Sequence, residues 1–155
     1  MNSTVNLKYE PEAVNWPEAH FVFVERTGNI PDNAEKAWKS AEAHMSQIAA
    51  HNRISGAAAL YKTGPGIYRA GFLLADAPVD LPEGLKYQKL NGGKYARFVL
   101  HGPYALLPEA TTQAFQIAAD KKIALRDDFN IEHYITDPRT TPQEQSVTEI
   151  LFPTV

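Results

Sequence analysis

Two short stretches decide the predicted fold: ALYKTGP at residues 59–65 and EHYITDP at residues 132–138. Each holds a Tyr, a Thr two residues later and a Pro two residues after that Thr. The position two residues before the Tyr differs, because it is Ala59 in one stretch and Glu132 in the other. We interpret the shared pattern as a repeated turn, and the differing position as the place where the two copies stop being equivalent.

Outward from these stretches, the hydrophobic pattern alternates between the periods of strands and helices. The sequence NGGK at residues 91–94 predicts a hairpin between the strands on either side, because Asn and Gly tolerate positive φ. Asp32 is the predicted N-cap of the first helix, and prolines make residues 10–19 irregular. The predicted strands are residues 5–9, 20–26, 57–61, 67–74, 85–90, 95–100, 130–135 and 147–152, and the predicted helices are residues 32–52 and 108–123.

The order of these elements after residue 20 is strand, helix, strand, strand, and then the same order again. Gly28 and Gly102 each end a first strand, at nearly the interval that separates the two tyrosines. We predict a single α+β domain of duplicated βαββ modules, at about residues 18–75 and 93–153, with pseudo-two-fold symmetry. An antiparallel sheet would carry two helices on one face and a ligand groove on the other.

Composition excludes several classes of protein. The 155 residues contain no Cys, so neither a disulfide framework nor a thiolate metal site is possible. A net charge of -3 argues against a nucleic-acid partner. We find neither a signal-peptide pattern nor an apolar run long enough to span a membrane, and therefore expect a cytoplasmic protein. Homodimerisation and protein partners stay open.

The alternation of strand side chains places the candidate site residues. Glu132 and Tyr134 share one face of their strand, and Ala59 and Tyr61 share the matching face of theirs. We expect the helices to cover the opposite faces, those of Ile131 with Ile135 and of Leu60. The groove would then receive Tyr61 from one module and Glu132 with Tyr134 from the other.

Two further residues are candidates for this groove. Glu149 interrupts an apolar final strand, and Trp16 lies between prolines as either a plug over the core or a lid over the groove. The competing interpretation is that the glutamates point to solvent and the tyrosines pack in the core. Glu132 and Glu149 could also act as acid and base in a hydrolase. No metal site, cofactor motif or nucleophile motif is recognisable.

Several motifs together resemble the GyrI-like small-molecule-binding domains, which also form the effector-binding parts of some AraC-type and MerR-type multidrug-responsive regulators. The resemblance covers nearly the whole chain. The motifs are GGKYARF at residues 92–98, HGPY at 101–104, EHY at 132–134, DP at 137–138, TEI at 148–150 and the proline at 153.

The resemblance implies two βαββ modules with a groove between them, and a buried Glu among aromatic residues that holds cationic, lipophilic ligands. Glu132 matches that Glu best and Tyr134 follows. Glu149 also lies on a matching motif, whereas Tyr61 rests on the internal repeat alone. The regulators carry a helix-turn-helix region that this chain lacks, so we expect a stand-alone binding module. Stand-alone relatives are implicated in gyrase inhibition or in hydrolysis of cyclopropane-bearing natural products.

Overall fold

The computed structural model describes Val5, Leu7 and residues 10–155. Within these residues the predicted α+β character is confirmed, with antiparallel strands and three α-helices. The elements are β1 (Glu12–Trp16), β2 (Ala19–Thr27), α1 (Ile30–Ala43), α2 (Met45–His51), β3 (Ile54–Lys62), β4 (Ile67–Leu74), β5 (Lys86–Leu90), β6 (Gly93–His101), α3 (Leu107–Asp120), β7 (Asn130–Tyr134) and β8 (Val147–Pro153).

The chain divides into two compact units, which are described one at a time. The first unit is Trp16–Gly93. Its strands follow the order β3-β4-β2-β5, and α1 and α2 pack on one face of them. The core beneath the helices is apolar and fully closed to water at its centre. It is built from Val22, Val24, Ala41, Ile48, Phe72 and Leu74.

The helices of the first unit cover the face that carries Tyr61, and the prediction that they cover Leu60 is wrong. Tyr61 lies directly opposite Tyr68, whose hydroxyl accepts a hydrogen bond of 2.9 Å from Nε1 of Trp38 in α1. Leu60 instead lies opposite Arg69 on the other face. The alternation of side chains assigns residues to two faces, but it does not say which face a helix will cover.

The second unit comprises Lys94–Val155 and the residues up to Asn15. Its strands follow the order β1-β6-β8-β7, and α3 packs over Phe98, Leu100, Ile150 and Phe152. The ring of Tyr134 packs against this same cluster.

The expectation that helices cover the face of Ile131 and Ile135 is therefore wrong as well. Ile131 lies on the face of β7 that α3 does not cover, yet only 1% of it is exposed, whereas Ile135 follows the end of β7 and is 50% exposed. Because Ile131 is buried on a face that α3 does not cover, the burial of an apolar side chain does not by itself reveal which face the helix covers.

The first helix differs from the prediction at both ends. Asn29 is its N-cap, and the side chain of Asn29 accepts a hydrogen bond from the backbone N–H of Asp32. Asp32 therefore lies in the first turn, where its negative charge complements the helix dipole. The single predicted helix is also broken at His44, which ends α1 and precedes α2.

The predicted hairpin around residues 91–94 does not form. Gly92 and Gly93 do have positive φ, of 73° and 126°, but β5 pairs with β2 and β6 pairs with β8. A Cβ on Gly92 would come within 2.3 Å of the carbonyl oxygen of Trp16. The glycine thus permits a close approach of two backbone segments where the chain passes from one unit to the next, and no hairpin is needed to explain it.

At the N-terminus, residues 10–19 are not irregular as predicted, because β1 forms between Pro11 and Pro17. Both prolines lie outside the strand, and β1 is an edge strand, where missing ladder donors are tolerated. The strand predicted at residues 5–9 lies for the most part outside the described residues. None of the described helices is long and apolar enough to cross a membrane.

The strand registers of the two units correspond when Tyr61 is set against Tyr134 and Gly28 against Gly102. In the first unit, Val24 lies opposite Ala70, which lies opposite Ala59. In the second unit, the same positions form the row Phe98, Ile150, Glu132. The duplication itself stays a prediction, but the rows identify Ala59 as the residue that corresponds to Glu132.

Candidate functional site

Glu132 lies at the middle of β7, on the face that α3 covers. Its cross-strand neighbour is Ile150, which is fully buried, and Phe98 follows in the same row. The Glu132 side chain keeps partial access to solvent. Among the described residues its carboxylate forms no ion pair and one hydrogen bond, which the hydroxyl of Tyr134 donates to Oε1 at 2.7 Å. Oε2 has no hydrogen-bond donor within that part of the chain.

The Tyr134 ring stands beside this carboxylate and is itself in contact with a second aromatic ring. Tyr134 packs edge-on against Tyr104, with ring centroids 5.7 Å apart and an interplanar angle of 89°. Tyr104 belongs to a short 3-10 helix, Tyr104–Leu106, that leads into α3. Its hydroxyl donates to the backbone carbonyl of Thr136 at 3.5 Å. The Tyr134 ring is thereby held between the helical segment and the strand, with its hydroxyl directed at Glu132.

The surroundings of Glu132 favour its neutral form. Desolvation raises the pKa of the Glu132 carboxyl, and the hydrogen bond from Tyr134 lowers that pKa without cancelling the rise. A carboxylate in an apolar site is costly unless hydrogen bonds or a counter-charge compensate for the lost water. The site therefore has one acidic group that a bound cation would stabilise in its ionised form.

Glu149 does not share this face, so the expectation that it faces the same groove as Glu132 is contradicted. It lies opposite Val99 and His133, on the side of the second unit away from α3. The Arg97 guanidinium donates to its Oε2 at 2.9 Å, and Nδ1 of His133 lies 2.9 Å from its Oε1. Arg97 also reaches the carboxylate of Glu12 at 2.8 Å. Glu149 is thus neutralised by its own neighbours.

Comparison with family models now adds an independent observation. The model of the GyrI-like small molecule binding domain matches residues 9–155, almost the entire chain. The chain belongs to this family. The resemblance seen in the motifs is thereby confirmed, and a GyrI-like protein is expected to bind a small molecule. A comparison with curated protein sequences found no match.

Solved structures of the GyrI-like fold superpose well on the chain at low sequence identity. The EcmrR C-terminal domain has a TM-score of 0.73 at 15% identity, and the match covers 99% of each chain. SAV2435 bound to tetraphenylphosphonium has a TM-score of 0.70 at 14% identity, with 94% of each chain covered. A hydrolase from Listeria innocua has a TM-score of 0.59 at 17% identity, covering 96% of this chain and 93% of that one. At such identities the likeness concerns the fold alone.

Two predicted site residues, Tyr61 and Trp16, belong to the first unit of this GyrI-like chain. Tyr61 is buried on the helix-covered face of β3, the face that corresponds to that of Tyr134. Trp16 ends β1 and is partly exposed, with its carbonyl oxygen against Gly92. Their assignment as ligand contacts stays a prediction.

Sequence reasoning missed two residues of the site. Tyr104 was quoted within the HGPY motif but not assigned to the site, although its ring supports that of Tyr134. Thr148 lies opposite Tyr134, is fully buried, and its Oγ1 has no hydrogen-bond partner among the described residues. The alternation of β8 predicts that Thr148 and Ile150 share a face, so the missing step was pairing them with β7.

Proposed function

We propose that this GyrI-like chain binds cationic, lipophilic small molecules, and that the Glu132 carboxylate holds the positive charge. The observation that supports this most directly is a partly exposed glutamate whose carboxylate has one hydrogen bond and no counter-charge among the described residues. Tyr134 is the second residue of the proposed site. The proposal assigns no metal or cofactor to the site.

The physical argument concerns what the carboxylate lacks. Ionised Glu132 has lost much of its hydration, and the Tyr134 hydroxyl replaces only part of it. A cation supplies the missing charge, and aromatic rings nearby attract cations through their quadrupoles. A neutral molecule of the same shape offers neither compensation. The site should therefore prefer a lipophilic cation to its neutral analogue.

One of the similar folds supports a ligand of this type. SAV2435 is bound to tetraphenylphosphonium, a cation whose charge is enclosed by four aromatic rings. EcmrR carries the fold as its C-terminal domain and is also seen in a complex with DNA. For the present chain the likeness to SAV2435 makes tetraphenylphosphonium a reasonable first probe.

Isothermal titration with tetraphenylphosphonium tests the proposal. Glu132→Gln keeps the size of the side chain but removes the charge, so we expect affinity to fall at least about tenfold, the scale of one lost charge interaction. Glu149→Gln is the matched control, because Glu149 lies on the other face and is already paired. Equal affinity in wild type and Glu132→Gln would exclude Glu132 as the cation-binding group.

The affinity should also depend on pH. The pKa of empty Glu132 is raised by desolvation, and a cation binds the ionised form better. We therefore expect affinity to increase as pH rises through that raised pKa and then to level off, with protons released on binding below it. Titrations in two buffers of different ionisation enthalpy measure the release. An affinity independent of pH between about 5 and 8 would argue against ionisation of Glu132.

A second candidate function is hydrolysis of an electrophilic small molecule, such as a strained-ring natural product. The similar folds that are hydrolases from Listeria innocua favour it. The pKa of the Glu132 carboxyl is raised by desolvation, which favours the protonated form that a general acid needs. Turnover of a panel of strained-ring compounds, lost in Glu132→Gln and kept in Glu149→Gln, would support it, and absence of turnover would leave binding as the function.

A further inference from the structure

Two buried hydroxyl groups lie two residues apart at the start of β8, next to the Glu132 site. Thr148 is fully buried, and only 1% of Ser146 is exposed. The Oγ atoms of both are closed to solvent, and among the described residues neither has a hydrogen-bond partner. A buried hydroxyl without a partner is costly, because it has lost its hydrogen bonds to water. Two of them in one place therefore need a reason other than the stability of the empty protein.

Both hydroxyls belong to the face of the second unit that α3 covers. Thr148 precedes Ile150 by two residues and so shares its face, and Ser146, whose backbone is extended, precedes Thr148 by two more. Thr148 lies directly opposite Tyr134, and Ile150 lies directly opposite Glu132. Thr148 and Glu132 are thus diagonal neighbours, which lie roughly 7–8 Å apart on an antiparallel pair of strands. One small molecule is long enough to reach both the carboxylate and a hydroxyl.

Tyr104 lies beside these hydroxyls and is weakly held. Its own hydroxyl donates to the Thr136 carbonyl at 3.5 Å, a long distance for a hydrogen bond. Oγ1 of the same Thr136 accepts from the backbone N–H of Val147, the residue between the two hydroxyl-bearing positions. Tyr104 is partly exposed and belongs to a 3-10 helix of three residues. Its ring is therefore the cover of this end of β8 that a ligand can displace at the lowest cost.

We infer that Thr148 and Ser146 form a polar subsite of the ligand site, which takes a hydroxyl or carbonyl group of the bound cation once Tyr104 moves aside. A hydroxyl side chain both donates and accepts, so either group finds a partner there. This inference rests on the proposed function, and it adds to the ligand a neutral hydrogen-bonding group a few bonds away from the positive charge. The two hydroxyls cost stability in the empty protein and gain partners in the complex.

The test compares two phosphonium probes of equal charge and nearly equal size by isothermal titration. Hydroxybutyl-triphenylphosphonium ends in a hydroxyl, where pentyl-triphenylphosphonium ends in a methyl group. In Thr148→Val we expect the hydroxyl probe to weaken about fivefold relative to the pentyl probe, the scale of one lost hydrogen bond. Ser146→Ala should act in the same direction. The ratio of the two affinities is the readout, because a change in the stability of the protein affects both probes alike.

Thr148→Ser keeps a hydroxyl at the same position and should keep the wild-type ratio. Thr112→Val is the matched control, because it removes an exposed hydroxyl of α3 that donates to the Pro108 carbonyl. It should leave the ratio unchanged as well. An equal ratio in wild type and Thr148→Val would overturn the inference while leaving cation binding in place. If neither these probes nor tetraphenylphosphonium binds wild type, the proposed function fails, and the subsite fails with it.

Discussion

Corresponding strands of the two units differ in the row of side chains that lies on the helix-covered face. The row Val24, Ala70, Ala59 of the first unit is apolar throughout, and Ala59 is fully buried. The corresponding row of the second unit, Phe98, Ile150 and Glu132, includes a glutamate that stays partly exposed. The sheet therefore does not require a charge at this position, and the second unit carries an ionisable group where the first unit is apolar.

The opposite faces of the two units differ in a related way. In the first unit Arg69 is central, where it donates to Glu25 at 2.7 Å and to Gln88 at 2.6 Å. In the second unit the corresponding residue is Glu149, surrounded by Arg97 and His133. The central residue is thus positive in the first unit and negative in the second, and each forms an ion pair with a neighbouring side chain. Among the described residues, the charges on this face are paired, whereas the Glu132 carboxylate on the other face forms no ion pair and so contributes none to stability.

The largest effect should come from making the first unit resemble the second. Ala59→Glu would bury a carboxylate opposite Ala70, in a row with no room for it, and we expect a loss of at least about 4 kcal/mol in the free energy of unfolding. Urea denaturation measures it, with the exposed Ala77→Glu as control. If both variants lost the same small amount, the rows would not differ as described.

A smaller loss should follow from breaking the charge cluster of the second unit. Arg97→Ala leaves Glu149, whose side chain is only 14% exposed, without its guanidinium, and we expect a loss of about 1–2 kcal/mol. Lys39→Ala, which removes an ion pair exposed on both sides, should change stability by under about 0.5 kcal/mol. Similar losses in the two variants would mean that the cluster contributes nothing beyond a surface pair.

Glu132→Gln should stabilise the empty protein in a pH-dependent way. The folded carboxyl has a raised pKa, so folded wild type holds a proton that the unfolded chain releases above its ordinary value of 4.5. Wild-type stability therefore falls as pH rises through that window. We expect the variant to melt a few degrees higher at pH 7.5, the scale of ~1 kcal/mol, and to match wild type at pH 4. Equal melting temperatures at both pH values would contradict this.

The smallest effect concerns the neighbouring row. In the first unit Tyr68 has a partner for its hydroxyl in Trp38, whereas the corresponding Thr148 has a buried Oγ1 with none among the described residues. Thr148→Val keeps the shape, and we expect a gain of about 0.5–1 kcal/mol in urea denaturation. Tyr68→Phe should lose a similar amount. A loss in Thr148→Val would mean that the hydroxyl is satisfied by water.

Local sequence patterns predicted which helices and strands form. They failed where the structure depends on which strands pair with each other. The strands at residues 67–74 and 147–152 were predicted almost to their ends, because their apolar runs are flanked by turn residues. The hairpin at residues 91–94 was wrong because positive φ at Gly92 is a local property, whereas the partner of each strand is not. The break at His44 was missed because the helical periodicity continues across it.

The sequence by itself determined the α+β class, the repeated order of elements, and the shared face of Glu132 and Tyr134, because these follow from periodicity and short-range geometry. Only the tertiary structure decided which face the helices cover, since strands with two apolar faces leave that choice to packing. It also decided that Glu149 turns away from Glu132 to meet Arg97 and His133. These two carboxylates thus differ in their proposed roles because, among the described residues, only Glu149 acquires counter-charges on folding.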